Sequence, residues 1–165
     1  MKKEELKVMT VGIQQYKHIM VAVDGSDESI SALSKAIETA KRNDADLLIV
    51  HVVDNRAYTM GVASFDIEAS EEETNVMNIA LETYQKQAVD QGVKKVMTEL
   101  VSGSPKELLA KTLPADYQID LILCGQSGMN RMERLMMGSV SQYIIRFAPC
   151  DVLIIRSQES DIKND

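Results

Sequence analysis

Four short runs constrain this chain most: HIMVAV (18–23), ADLLIVHVV (45–53), DLILCG (120–125) and DVLIIR (151–156). Each is continuously apolar and rich in β-branched residues, instead of alternating with polar ones. A strand that reads this way is buried on both faces, which is the condition of a parallel sheet covered by helices on either side. A further run, KKVMTELVS (94–102), alternates more than the others, as an edge strand does. The chain is 165 residues long, about one domain, and long enough to bury a core without covalent staples.

The segments between the strands carry helical spacing. In SDESISALSKAIETAKRND, Ile30, Leu33, Ile37 and Ala40 recur at intervals of three and four, with Ser26 or Asp27 as N-cap and acids in the first turn. Val76, Ile79, Ala80, Tyr84 and Ala88 repeat the pattern before Gly92, a C-terminal stop. Ser104 and Pro105 open a third helix, and Val140, Ile144 and Phe147 mark one face of a fourth that ends before Pro149. Strand and helix alternate throughout, so the expected class is α/β: an open, twisted, five-stranded parallel sheet with helices on both faces. Residues 1–16 read as an N-terminal extension, 17–156 as the domain and 157–165 as a polar C-terminal tail.

Charge and composition exclude several functions. The balance of 18 Lys+Arg against 25 Asp+Glu gives a formal net charge of −7 with no basic block, which argues against nucleic acid as a partner. No apolar run approaches the length of about 18 residues that spans a bilayer, and the N-terminal segment has no apolar signal core, so a cytoplasmic protein with no membrane partner is expected. Cys124 and Cys150 have no second ligand at metal-binding spacing and read as buried reduced thiols. His18 and His51 fall on strands with no nucleophile pattern beside them and read as core or edge histidines. EASEEET reads as a solvated first helical turn.

In a doubly wound sheet, ligands gather at the carboxyl ends of strands where the strand order reverses. Two stretches there stand out: Asp24-Gly25-Ser26 after the first strand, and CGQSGMNRMERLMMGSVS (124–141) after the fourth. The second is neither a P-loop, since no lysine follows its glycines, nor a G-x-G-x-x-G turn, since its spacing is G-x2-G-x9-G-S. By spacing alone it admits two readings. Gly125 and Gly128 give backbone amides clearance to approach an anion while Gly138-Ser139 opens a helix with unpaired N–H groups, or the stretch is a turn followed by a capped helix. The methionines Met129, Met132, Met136 and Met137 read as gap-fillers over the core, with an adaptable partner surface as the other reading.

The string G-x2-G-x9-G-S-V-S resembles the nucleotide signature of the universal stress protein family, in its ATP-binding branch. HIMVAVDGSDES, ADLLIVHVVD, VSGSPKELLAK and PCDVLIIR resemble that family's other segments, so the likeness covers residues 17–156. It implies an adenine-nucleotide alpha-hydrolase-like sheet of order 3-2-1-4-5, and a homodimer formed through the last strand (151–156). It also implies cofactor-binding residues: Ala22, Val23 and Asp24 along the adenosine, and Val52 offering its backbone to the adenine edge. Gly125 and Gly128 would flank ribose and phosphates, and Gly138, Ser139, Val140 and Ser141 would hold the phosphate chain. Gln126-Ser127 departs from the family, which commonly writes a small hydroxyl residue and then His or Arg between the first two glycines.

ATP carries several negative charges into an acidic chain, and a helix N-terminus supplies only about half an elementary charge against them. A Mg²⁺ ion held by phosphates and water is therefore expected, and Arg131 and Arg134 either assist or face solvent. The motif's only carboxylate is Glu133 and it has no lysine, which gives little of what phosphoryl transfer needs. The expected function is a stress-response module that binds ATP or another adenine nucleotide, with no assigned catalytic residues and at most weak ATP hydrolysis. Two alternatives stand beside it: a slow ATPase on the same site, and a stress protein that has lost the nucleotide and acts through protein contacts.

Overall fold

A computed structural model of the chain describes residues 15–54, 66–128 and 136–156, with 66–70 as backbone only. Five strands, β1 (His18–Ala22), β2 (Asp46–Asp54), β3 (Val96–Gly103), β4 (Leu121–Gly125) and β5 (Asp151–Ile155), form one parallel sheet of order β3-β2-β1-β4-β5. Helix α1 (Asp27–Asn43) follows β1 and α2 (Asp66–Asp90) follows β2. Pro105–Glu107, Leu108–Thr112 and Leu113–Asp116 run on as one helical stretch, α3, and α4 (Ser139–Phe147) leads into β5. No described helix is long and apolar enough to cross a membrane.

The continuous apolar runs are buried on both faces, as their composition requires. Ile19, Val21, Leu47, Ile49, Leu121 and Leu123 point to the side covered by α1 and α2, where Leu33, Ile37 and Leu81 meet them. Met20, Leu48, Val50, Ile122 and Cys124 point to the other side and pack on Leu109, Leu113 and Ile144 of α3 and α4. The strand order turns back between β1 and β4, so their carboxyl ends diverge into a crevice.

The helix faces differ from expectation in part. Ser26 caps α1, its hydroxyl accepting from Ser29 N–H at 3.2 Å, but Ile30 is exposed. On α2, Met77, Leu81 and Ala88 are buried while Val76 and Ile79 stand 58% and 67% exposed. Ala80, Tyr84 and Ala88 of the expected face do meet the core, but in its first half the helix carries apolar residues in two phases one position apart, and the sheet takes Met77 in place of Val76. Gly92 does stop it, with φ at 104°. Phe147 is exposed and stacks on Tyr143 with ring centroids 4.4 Å apart. Ser104 stands at the cap position of α3 without a side-chain bond to it. The middle of α3 is a π-turn, in which Leu113 N–H reaches back to Leu108 O. Pro114 explains it: proline has no N–H and crowds the carbonyl four residues back, and one inserted residue relieves both.

Candidate functional site

The crevice between β1 and β4 opens into a cavity of about 550 Å³, within the range of small-molecule sites. Its apolar end is walled by Val50 and Val52 of β2, Leu109 of α3 and Ile144 of α4. Its polar end is formed by Asp24, Ser127, Gly128 and the entrance of α4, Gly138 to Ser141. The ten positions singled out in the sequence, Ala22, Val23, Asp24, Val52, Gly125, Gly128, Gly138, Ser139, Val140 and Ser141, all border this one cavity. Arg131, Arg134, Glu133, Met129 and Met132 lie outside the described residues. Met136 is 61% exposed at the cavity and so is not a core gap-filler, while half-buried Met137 also borders the cavity.

The polar end has two unlike halves. The turn after β4 is fastened from behind at every step. Gln126 N–H donates to Ile155 O at 2.8 Å, and Gln126 O accepts from Gly138 N–H at 2.8 Å. The buried Ser141 hydroxyl lies 3.0 Å from both Gly125 O and Gln126 O and donates to this carbonyl pair. Ser127 donates its N–H and its hydroxyl to one carboxylate oxygen of Glu28, at 2.7 and 2.8 Å. The amides of Gln126 and Ser127 are thus committed to the protein, and Ser141 braces the turn with its hydroxyl. The other half is the first turn of α4, where Gly138 is the N-cap with extended backbone and no capping side chain. There the N–H groups of Ser139, Val140 and Ser141 have no partner within the helix, as at any helix start, and open toward the cavity with the positive end of the helix dipole.

This corrects one reason given for the glycines. A Cβ on Gly125 would lie 2.9 Å from Glu28 Cβ, 3.2 Å from Glu28 carbonyl carbon and 3.3 Å from Ser29 N. Gly125 therefore admits the first turn of α1 against β4, and phosphate clearance is not what its missing side chain provides. Among the described residues, a Cβ on Gly128 would meet only the Asp24 carboxylate, at 3.0 Å, and the position borders the cavity. Asp24 is itself oriented: its Oδ1 accepts from Ser26 N–H at 2.9 Å and its own N–H donates to Ser29 Oγ at 3.2 Å.

His51 is buried, and its Nδ1 lies 2.7 Å from Val23 O. Since a carbonyl only accepts, Nδ1 carries the proton, and the ring fixes the chain end of β1 from behind. Its Nε2 has no hydrogen-bond partner among the described residues and lies 3.8 Å from Glu73. The core reading of this histidine holds. The thiols differ from one another. Burial pushes Cys124 up to about 12, while half-buried Cys150 is pushed up to about 11 by burial and by Asp120 and Asp151, so only Cys124 is fully in the core. Lining residues that sequence reasoning did not assign to the site include Ser29, Val50, His51, Pro105, Leu109 and Ile144, and Glu28 reaches the site through Ser127. Glu28 and Ser127 are 99 positions apart, and no local pattern links them.

Residues 15–156 match the Universal stress protein family. The chain belongs to the universal stress protein family. A Staphylococcus saprophyticus protein bearing the universal stress protein name is 46% identical over 144 residues, 87% of this chain and 86% of the relative. Among solved structures, the universal stress protein UspA from Lactobacillus plantarum superposes with a TM-score of 0.79 at 31% identity, covering 87% of this chain and 99% of its own. Two family members of the same fold were solved with ligands. One is in complex with cAMP, at TM-score 0.62, 24% identity and coverage of 88% and 100%. The other, from Archaeoglobus fulgidus, is in complex with dAMP, at TM-score 0.58, 22% identity and coverage of 87% and 100%.

Proposed function

We propose that this universal stress protein binds an adenine nucleotide in the β1/β4 cavity, ATP with Mg²⁺ in the first place, and that occupancy regulates its contacts in a stress response. The observation that carries the reading is the arrangement of one cavity with an apolar slot at one end and the unpaired start of α4 at the other. A flat base suits the apolar lining that includes Val52 and Leu109, and phosphates suit the helix start. The complexes of relatives with cAMP and dAMP support an adenine nucleotide over other anions. Among the described residues no three carboxylate, histidine or cysteine groups converge on a metal ion. Mg²⁺ would accordingly be held through phosphate oxygens and water, neutralising phosphate charge beside Asp24.

The described lining holds one carboxylate, Asp24, already committed to Ser26 N–H, and no lysine or arginine. That supports a binder with slow hydrolysis over an efficient phosphotransfer enzyme. The test is calorimetry with Mg-ATP, joined to mass spectrometry of small molecules released from the purified protein by denaturation. Absence of both a bound adenine nucleotide and a binding isotherm would overturn the reading. Phosphate release near 10 per second would replace the binder with an enzyme.

Strand β5 is a sheet edge with Leu153 exposed, and pairing with a second copy across a twofold axis would cover it. Leu153→Lys is expected to convert a dimer to monomer in light scattering. A dimer that survives this change argues for another interface.

A further inference from the structure

Glu28 does not border the cavity, yet it is the side chain that joins its two strand ends. It sits in the first turn of α1, beside the Asp24–Ser26–Ser29 cluster that ends β1. Across the crevice its carboxylate takes both polar hydrogens of Ser127, the residue before Gly128. The backbone reaches this position only because Gly125 has no Cβ to hold α1 away.

Resting on the nucleotide reading above, we propose that Glu28 is a positioning residue for the phosphate end of the cavity, acting through Ser127. The ideal Cβ position of Gly138 lies 3.4 Å from both Gln126 O and Ser127 Cα, so the turn and the entrance of α4 are in contact. A turn released at Ser127 shifts against that entrance and misaligns Gly128 with the N–H groups of Ser139 and Val140. The apolar end rests mainly on Val50 and Val52 of β2 and Leu109 of α3, with Ile144 a full helical turn beyond the α4 entrance, and does not rest on this tie. Glu28 therefore governs how the protein holds phosphate and leaves its hold on the base unchanged. Preorganisation of this kind spares the ligand the cost of ordering the loop.

The test compares Mg-ATP with adenosine, which lacks phosphate, by calorimetry on wild type, Glu28→Ala and Glu28→Gln. Losing two hydrogen bonds to a charged acceptor, Glu28→Ala is expected to weaken Mg-ATP about tenfold and adenosine less than about twofold. Glu28→Gln keeps an acceptor oxygen at the same place and is expected to recover most of the loss. An unchanged ratio of ATP to adenosine affinity in Glu28→Ala, or a Gln variant as weak as the Ala variant, overturns the proposal. A general loss of fold would lower both affinities together and so counts against it. If wild type binds neither ligand, the nucleotide reading itself fails, and the tie is judged on amide exchange at Ser127. Faster exchange in Glu28→Ala with protection restored in Glu28→Gln supports it, and equal exchange in all three overturns it.

Discussion

The turn after β4 and the first turn of α4 belong to one sequence motif, yet they divide its labour. In the turn, the amides of Gln126 and Ser127 and the carbonyls of Gly125 and Gln126 are bonded to β5, α4 or α1. At the start of α4, three N–H groups have no helical partner. A loop with all its donors open would be costly to order and would collapse on itself without an anion. A loop with all its donors closed could not bind one. Fastening one half holds the other half open at a fixed distance from Asp24.

The strongest way to break this contrast is to put the same side chain on both glycines of the turn. At Gly125 a valine would push into the Glu28 backbone, where nothing yields without moving α1, so a loss of about 3 kcal/mol is expected. For a domain of this size that is a fall in Tm of about 10 °C. At Gly128 only the tip of the Asp24 side chain is in the way among the described residues, and φ is not in the left-handed region. Gly128→Val should melt within about 2 °C of wild type while losing Mg-ATP binding in calorimetry. Equal losses of stability at the two positions would abolish the distinction between them.

Much of this layout was legible in the sequence because burial on both faces leaves an unmistakable record. The runs 18–23, 45–53, 120–125 and 151–156 correspond to strands within a residue or two, and the more alternating 94–102 is the β3 edge. Gly138-Ser139 did mark the start of a helix, since a cap followed by an apolar period is a local signal. What could not be read was which of two apolar phases on α2 meets the sheet, because Val76 and Met77 are equally apolar and only tertiary contact chooses. Nor could the purpose of Gly125 be read. A glycine that admits a neighbouring helix and one that admits a ligand are spelled alike, and Glu28, which separates the cases, is 97 positions away by numbering (125 − 28).

A smaller effect separates the two serines of Gly138-Ser139-Val140-Ser141. Ser141 is buried with its hydroxyl on two carbonyls, so Ser141→Ala should cost about 1 kcal/mol of stability, read in urea melts. Ser139 forms the first residue of the helix on the cavity side, and Ser139→Ala should instead lower Mg-ATP affinity a few-fold with an unchanged urea midpoint. The reverse assignment of the two effects would mean that the grip and the brace have been exchanged.

The smallest effect is a chemical one, and it reports whether the fastened half ever opens. Cys124 is the residue before Gly125, and burial holds its thiol up to about 12, against about 11 for Cys150. An unfolded thiol ionises near 8.5, so as pH climbs above that value the unfolded chain loses its thiol protons first. The contribution of these thiols to stability is complete below pH 8.5 and declines as pH rises through 11 and 12. For the same reason iodoacetamide at pH 8.5 should label Cys150 about a hundredfold more slowly than in the urea-unfolded chain, with Cys124 slower still. Gly125→Val loosens α1 from β4 and should accelerate Cys124 selectively, whereas Gly128→Val should leave both rates alone. Were Cys124 in wild type to react as fast as Cys150, the turn beside it would be opening freely, and the fastened half could not be what holds the start of α4 in register.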